Sequence, residues 1–233
     1  MGKTMQSLPQ KLAEAIIRFI VQENLKPGDK LPNEVLMAQS LKVGRSSVRE
    51  AMKILASRNI IEVRQGSGTY VSNRPGVCDD PLGLIFLRDN PKLICDMMEI
   101  RLLVEPSVTA MAARNADEKE IRKIFKICTE TEEMARAGQN YAAKDIEFHQ
   151  AIAVASKNLL APRIFPIVCQ TQKSFAALNN QECHRFVVMS HRKIADAILH
   201  RDTEAAKDNM YIHLIMVRSI VTEENSRDRL SET

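Results

Sequence analysis

The sequence predicts a mostly α-helical fold, in which three helices and a β-hairpin are followed by an all-α antiparallel bundle. Three observations lead to this prediction. The chain is 45% hydrophobic but only 4% aromatic, with no Trp, and packing by Leu, Ile, Ala and Met favours helices over a β-sandwich. Apolar residues recur at helical spacing, and one glycine-tipped pair of β-type runs interrupts them. The 233 residues suffice for two modest domains, predicted at 1–75 and 91–233 with a linker at 76–90.

The three N-terminal helices are predicted from apolar spacing and from their end signals. The first ends before the turn at 26–29, where Pro and Gly break the pattern. The second follows Asn33, a residue suited to the N-cap, and reaches about Leu41. The third, over about 45–58, is expected to bury the face formed by Val48, Ala51, Met52 and Leu55.

A β-hairpin is predicted after the third helix. Two runs of β-forming residues, 60–64 and 69–72, flank a segment that contains Gly66 and Gly68, and glycines between alternating β-formers are typical of a hairpin. Two helices joined by a tight turn and followed by a hairpin form a winged helix-turn-helix. In such a unit the second helix of the pair fits the major groove of DNA.

The rest of the chain is predicted to form a helical bundle. Apolar residues at helical spacing continue from about Pro91 to Glu224. The pattern is interrupted near 115–117, Gly138, Asn158, 179–180 and Asp202. Six or so helices with short connections predict an antiparallel bundle.

Charge is distributed unevenly between the two predicted domains. Residues 1–75 carry 12 Lys and Arg against 6 Asp and Glu, whereas the remainder carries 21 against 23. This difference suggests that the first domain, and not the second, binds a polyanion. The five cysteines are scattered and predict reduced thiols. Because no 18-residue apolar run occurs, we expect a cytoplasmic protein without a membrane segment.

Six residues of the first domain are candidates for DNA contacts. Arg45, Ser46 and Arg49 lie near the start of the third helix and off its apolar face, where they can reach base edges and phosphates. In the hairpin, the small Gly66 and Gly68 allow close approach to a phosphate, and Arg64 adds a charge. Helix-turn-helix periodicity alone also fits a small lobe with surface arginines; the hairpin and the basic charge favour DNA.

Four metal-ligand side chains lie on apolar stripes of the predicted bundle. Asp145 and His149 are one helical turn apart, and His191 and His213 lie on two further stripes. Burying such groups without partners costs on the order of 2–7 kcal/mol each. A divalent metal ion would satisfy all four and keep one or two positions open. Zinc is the first expectation, with manganese, nickel or iron as alternatives.

Each histidine taken singly also fits a hydrogen-bonded core or surface role. His184 and His200 fall outside the three stripes and are interpreted as surface residues. A second polar pair, Arg101 and Glu105, lies four residues apart on a largely apolar face. The two residues form either an intrahelical salt bridge at a solvated edge or an anchor in which Arg101 binds an organic carboxylate.

Three motifs of the first domain resemble the GntR family of bacterial transcription regulators. They occupy residues 26–34, 45–51 and 66–71, in the order expected for that family. The resemblance implies that Arg45, Arg49 and the glycine of the wing tip contact the operator. At one position the chain departs from the family, because Val35 stands where an Arg is usual.

The second domain resembles the FCD effector domain of the FadR-like subfamily over most of residues 92–220. The resemblance implies that Asp145, His149, His191 and His213 bind a metal and that Arg101 faces the effector pocket. Asn158 matches a position that the family often fills with Asn, and we assign it with Arg101 and Glu105 to effector binding.

The resemblance further implies homodimers that bind palindromic operators, often near operons for sugar acids, lactate or related carboxylates. The predicted function is therefore transcription regulation by a small organic acid bound at a metal-containing pocket. Two alternatives stand beside it. One is a sensor of the metal itself. The other is a metal-dependent enzyme. The sequence has no HExxH pattern and no evident general base beside the ligands, which disfavours this alternative.

Overall fold

The computed structural model describes residues 7–231, except 74, 77–79, 81, 88, 89, 91 and 170–180. The predicted helix start at Pro91 and the predicted break at 179–180 lie outside these residues. The chain divides into two compact units, Met1–Leu82 and Gly83–Thr233. The structure is mostly helical, with one two-stranded antiparallel sheet in the first unit, as the sequence predicted.

The first unit contains helices α1 (Leu8–Gln22), α2 (Glu34–Leu41) and α3 (Arg45–Ser57). The predicted N-cap of α2 is confirmed, because Oδ1 of Asn33 accepts a hydrogen bond from the Leu36 N–H at 2.9 Å. The apolar face predicted for α3 is buried and packs on α1 and α2. The shared core contains Leu12, Ile16, Ile20, Met37, Val48, Met52 and Leu55.

The hairpin of the first unit pairs β1 (Ile61–Arg64) with β2 (Gly68–Val71). Ile61 lies opposite Val71, and both side chains are buried in the core of the unit. Arg64 lies opposite Gly68 at the other end of the hairpin. The core therefore anchors the base of the hairpin, and the tip projects away from the core.

The second unit contains a 3₁₀ turn, Leu84–Phe86, and six described helices. These are α4 (Lys92–Asn115), α5 (Glu118–Arg136), α6 (Ala142–Ala155), α7 (Ala161–Val168), α8 (Gln181–Leu199) and α9 (Thr203–Ser231). The breaks fall where the sequence placed them, near 116, 138, 158 and 201. At the start of α5, a capping box between Asp117 and Glu120 satisfies the first amides.

Helix α4 packs on α9, α6 and α8, and α5 packs on α6 and α8. The apolar core between them includes Met98, Ile124, Phe148, Ile152, Ile194, Ile198, Met210 and Leu214. Faces of α4, α6, α8 and α9 therefore meet in one interior. None of the described helices is long and apolar enough to cross a membrane.

Candidate functional site

The N-terminal end of α3 presents the polar residues that the sequence singled out. Arg45, Ser46 and Arg49 are exposed, while the opposite face of α3 is buried. Arg49 is paired with Glu34 of α2, with Nη2 2.9 Å from Oε2 and Nε 3.1 Å from the same oxygen. This carboxylate raises the pKa of Arg49. In the described part of the chain, Arg45 has no such carboxylate partner.

The wing residues Arg64, Gly66 and Gly68 are brought together at the hairpin tip. Arg64 pairs with Glu62 at 3.1 Å, and its guanidinium carbon lies 4.4 Å from the ring centre of Tyr70. Gly66 has a φ of +72°, and a Cβ there would meet nothing within 4 Å. The left-handed backbone, which glycine adopts without strain, and the open space leave the Gly66 backbone accessible to a partner from outside.

In the second unit, three helices bring four metal-ligand side chains together. Asp145 and His149 come from α6, His191 from α8 and His213 from α9. One ligand atom from each side chain lies within 4.8 Å of those of the others. The three imidazoles are almost completely buried, and Asp145 is 8% exposed. Three imidazoles and one carboxylate are a donor set that zinc and related divalent ions prefer.

Two of the imidazoles are held through the nitrogen that a metal would not use. Nδ1 of His149 lies 2.5 Å from Oε2 of Glu105, and Nδ1 of His213 lies 2.8 Å from Oγ of Ser190. Such partners fix the ring orientation of metal-binding histidines. Nε2 of each ring is thereby the nitrogen placed for coordination, although Nε2 of His149 also has a long contact of 3.4 Å with Nη2 of Arg101.

The third imidazole carries the clearest sign of an absent partner. Both ring nitrogens of His191 are buried without a hydrogen bond. Nε2 lies 3.1 Å from Oδ1 of Asp145. The ring stacks on Phe148 at 4.1 Å between centres. Because orphaned buried polar atoms are costly, a shared metal ion fits these residues.

Protonation states in this interior suit a metal ion. Burial lowers the pKa of His191 and lowers that of His213 well below its usual value, which keeps the rings neutral. Burial acts to raise the pKa of Asp145, but its contacts with His191, His149 and Arg101 outweigh this effect and the pKa is lowered. Neutral imidazoles and an ionised carboxylate are the forms that bind metals.

Arg101 and Glu105 of α4 lie in the same interior, both with 0% side-chain exposure. Nε of Arg101 donates to Oε1 of Glu105 at 2.5 Å. The two residues form an ion pair, but not at the solvated edge that one interpretation of the sequence supposed. Burial opposes the charge of each group, yet their mutual attraction dominates, which raises the pKa of Arg101 and lowers that of Glu105.

Among the described residues, the terminal nitrogens of Arg101 have only weak partners. Nη2 lies 3.4 Å from Nε2 of His149, and Nη1 lies 3.6 Å from Sδ of Met98. Neither is a carboxylate or carbonyl oxygen, the acceptor that a guanidinium binds best. Because Nη2 lies beside His149, the donor groups of Arg101 reach the metal-ligand cluster directly.

Asn158, the third residue assigned to effector binding, is exposed and caps a helix. Its Oδ1 accepts hydrogen bonds from the N–H groups of Leu160 at 2.9 Å and Ala161 at 3.1 Å. These bonds satisfy amides at the start of α7. The structure thus assigns the side chain a local structural role, and its contact with an effector stays a prediction.

Two family models match the chain. The model described as "Bacterial regulatory proteins, gntR family" matches residues 8–71, and the "FCD domain" model matches residues 96–215. The chain belongs to the GntR family and carries an FCD domain. Proteins of this family are transcriptional regulators and not enzymes, so the metal-dependent enzyme is set aside.

Two curated regulators and one solved structure resemble more than nine-tenths of the chain. The Exu regulon transcriptional regulator of Escherichia coli is 30% identical, covering 95% of this chain and 87% of its own. The putative L-lactate dehydrogenase operon regulatory protein of E. coli is 29% identical over 91% and 87%. The solved structure of Streptococcus agalactiae GntR has a TM-score of 0.82 and 34% identity, covering 91% of this chain and 99% of its own.

Two side chains of this FCD domain that contact residues of the site were not identified from the sequence. Ser190 holds His213, and Sγ of Cys169 lies 3.6 Å from Oε1 of Glu105. His184, which was interpreted as a surface residue, lies outside the cluster but is partly buried, and its Nδ1 lies 2.7 Å from Oη of Tyr141. Small or apolar residues on an apolar stripe look ordinary, so no sequence signal distinguished Ser190 or Cys169.

Proposed function

We propose that this GntR regulator binds a palindromic operator as a homodimer in the cytoplasm, and that a small organic acid controls its operator affinity. The acid binds at the metal-containing pocket of the FCD domain. One observation carries the proposal: the buried donors of Arg101 lie beside the metal-ligand cluster, with Nη2 3.4 Å from Nε2 of His149.

The chemistry of the pocket suits a carboxylate with a second oxygen donor. A divalent ion, when bound by Asp145, His149, His191 and His213, supplies a Lewis acid with open positions for oxygen ligands. Arg101 supplies charge-assisted donors through Nη1 and Nη2. A 2-hydroxy acid such as L-lactate offers a carboxylate and a hydroxyl, and one relative is named for an L-lactate dehydrogenase operon. Sugar acids offer the same two groups.

The effect on DNA follows from competition for Arg101. An effector carboxylate that pairs with Arg101 competes with Glu105, which also holds His149. The position of α4 relative to α6 therefore depends on the effector. Helix α4 follows the linker to the first unit in the sequence, which gives the coupling a route. An effector changes operator affinity only as far as it favours one arrangement over the other.

The first test measures the melting temperature of the full chain in the presence of sugar acids, hydroxy acids or dicarboxylates, each with and without a metal chelator. A compound at about a hundred times its Kd stabilises the folded form by roughly 2.7 kcal/mol. We expect one acid to raise the melting temperature only when metal is present.

The double variant Arg101→Met/Glu105→Gln, which buries no unpaired charge, is expected to lose the acid-dependent shift at saturating metal. It should keep a metal-dependent shift, but only at higher metal concentrations, because Gln is a poorer acceptor for Nδ1–H of His149. If chelator lowers the melting temperature but no acid acts, the metal is structural or is itself the signal, and the metabolite proposal fails.

A further inference from the structure

A segment outside the hairpin extends the sheet of the wing. The turn between α1 and α2 runs beside β2, where the Leu31 N–H donates to the Thr69 carbonyl at 2.8 Å and the Val71 N–H donates to the Asp29 carbonyl at 2.8 Å. Lys30 and Tyr70 form an antiparallel bridge between the two segments. The backbone of Lys30 is thus held by the wing although it lies 31 residues or more before the hairpin's strands.

The side chain of Lys30 crosses the wing towards its tip. A Cβ built on Gly68 would lie 2.8 Å from Cε of Lys30, so the alkyl stem passes directly over this glycine. Nζ of Lys30 lies 5.7 Å from the ring centre of Tyr70. The guanidinium of Arg64 lies near the same ring. Two cations therefore meet around one exposed hairpin tip.

The charge of Lys30 is not neutralised as the neighbouring charges are. Arg64 is paired with Glu62, and Arg49 is paired with Glu34. Within the described residues, Lys30 has no carboxylate at ion-pair distance, and its side chain is exposed. A cation–π contact with Tyr70 contributes only about 0.5–1 kcal/mol at an exposed site and leaves the charge available to an anion.

We propose that Lys30 is a phosphate-contacting residue of the wing and that it binds the DNA backbone without reading its sequence. The hydroxyl of Ser67, which lies 2.7 Å from Oη of Tyr70, and the open backbone of Gly66 provide polar groups beside it. A lysine acts on phosphate as a point charge and releases counterions from DNA. This role is independent of the effector and the metal.

The test uses the full chain and a labelled duplex of random sequence, because a phosphate contact is sequence-independent. Lys30→Met keeps the stem that packs over Gly68 and removes only the charge. We expect weaker binding at low salt and a slope of log affinity against log salt that is smaller by about 0.9 for each copy of the domain on the DNA. Lys30→Arg is expected to retain both affinity and slope.

The matched control is Lys123→Met, which removes the same charge from an exposed position on α5. Unchanged binding and slope in this variant, with a reduced slope in Lys30→Met, support the phosphate contact. An unchanged slope in Lys30→Met overturns it, even if affinity or melting temperature falls, because Lys30 would then only support the wing. An equal loss of slope in both variants also overturns it, because net charge would explain the effect.

Discussion

Oε2 of Glu105, on α4, lies 2.5 Å from Nδ1 of His149, on α6, and both side chains are fully buried. The other oxygen of Glu105 holds Arg101. One carboxylate therefore orients a metal ligand and neutralises the guanidinium beside it. This arrangement joins the metal half and the acid-binding half of the proposed pocket.

Replacing Glu105 by Gln is expected to weaken metal binding. The amide is a poorer acceptor for the Nδ1–H of His149, and loss of such an orienting partner typically costs 10–100-fold in metal affinity. The measurement is a competition titration of the full chain with a chromophoric zinc chelator.

Glu99→Gln is the matched control for this variant, since Glu99 is an exposed carboxylate on the same helix. We expect it to leave the zinc affinity unchanged. An undiminished affinity in Glu105→Gln would show that His149 is oriented without this carboxylate.

His191→Phe is expected to abolish the stabilisation of the chain by zinc. The variant removes buried ring nitrogens that lack a hydrogen bond and keeps an aromatic ring stacked on Phe148. It also removes the imidazole that lies 3.1 Å from the Asp145 carboxylate, so its effects on the metal-free chain oppose each other and the zinc response is measured within each variant. The rise in melting temperature on adding zinc, which we expect of the unaltered chain, should be lost.

His200→Phe provides the control, because His200 is exposed and lies outside the cluster. It should keep the zinc-dependent rise. A zinc-dependent rise of the full size in His191→Phe would remove His191 from the metal site.

The sequence predicted the elements and the four candidate ligands because both follow from local periodicity. Asp145 and His149 lie one turn apart on an apolar stripe, so the helical repeat alone directs them to the same side. Asn33 was identified as a cap because a short polar side chain before an apolar helix satisfies its first amides. These features need no knowledge of which helices are neighbours.

The parts that could not be predicted depend on which helices pack together. The repeat places Arg101 and Glu105 on one face of α4 but does not tell whether α6 covers that face. The contacts of Glu105 with His149 and Cys169 span 44 and 64 residues of chain. Lys30 was missed for the same reason, since its position over Gly68 results from pairing between the α1–α2 turn and β2.

The two glycines of the wing tip are expected to respond differently to alanine. At Gly68 the φ of +124° is strained for any side chain, and the new Cβ would meet Cε of Lys30 at 2.8 Å. Such a backbone conformation costs of order 1–3 kcal/mol, and the Lys30 stem must also move. At Gly66 the φ is +72° and the Cβ meets nothing, so the cost is about 1–2 kcal/mol.

Calorimetry of the full-length variants tests this order, with the unfolding of the first unit as the readout. Gly68→Ala should melt at a lower temperature than Gly66→Ala. Equal melting temperatures would contradict the close packing of Lys30 over Gly68.

Arg45 is expected to contribute to sequence recognition more than to general affinity. It is exposed at the first turn of α3, and among the described residues it has no carboxylate partner, so its planar donor pair is available to guanine in the major groove. Arg45→Ala should weaken binding to a duplex selected from a random pool by about 1–3 kcal/mol, or about 5–150-fold. Binding to unselected DNA should fall much less, because a phosphate contact is not what is lost.

Arg58→Ala serves as the control for the Arg45 variant. Arg58 follows the last residue of α3, about 20 Å along the helix axis from Arg45 at 1.5 Å per residue, and it should leave both affinities unchanged. The decisive measurement is the ratio of selected to unselected affinity by fluorescence anisotropy. If Arg45→Ala lowers both affinities equally, Arg45 contacts phosphate and sequence reading belongs to other residues of α3.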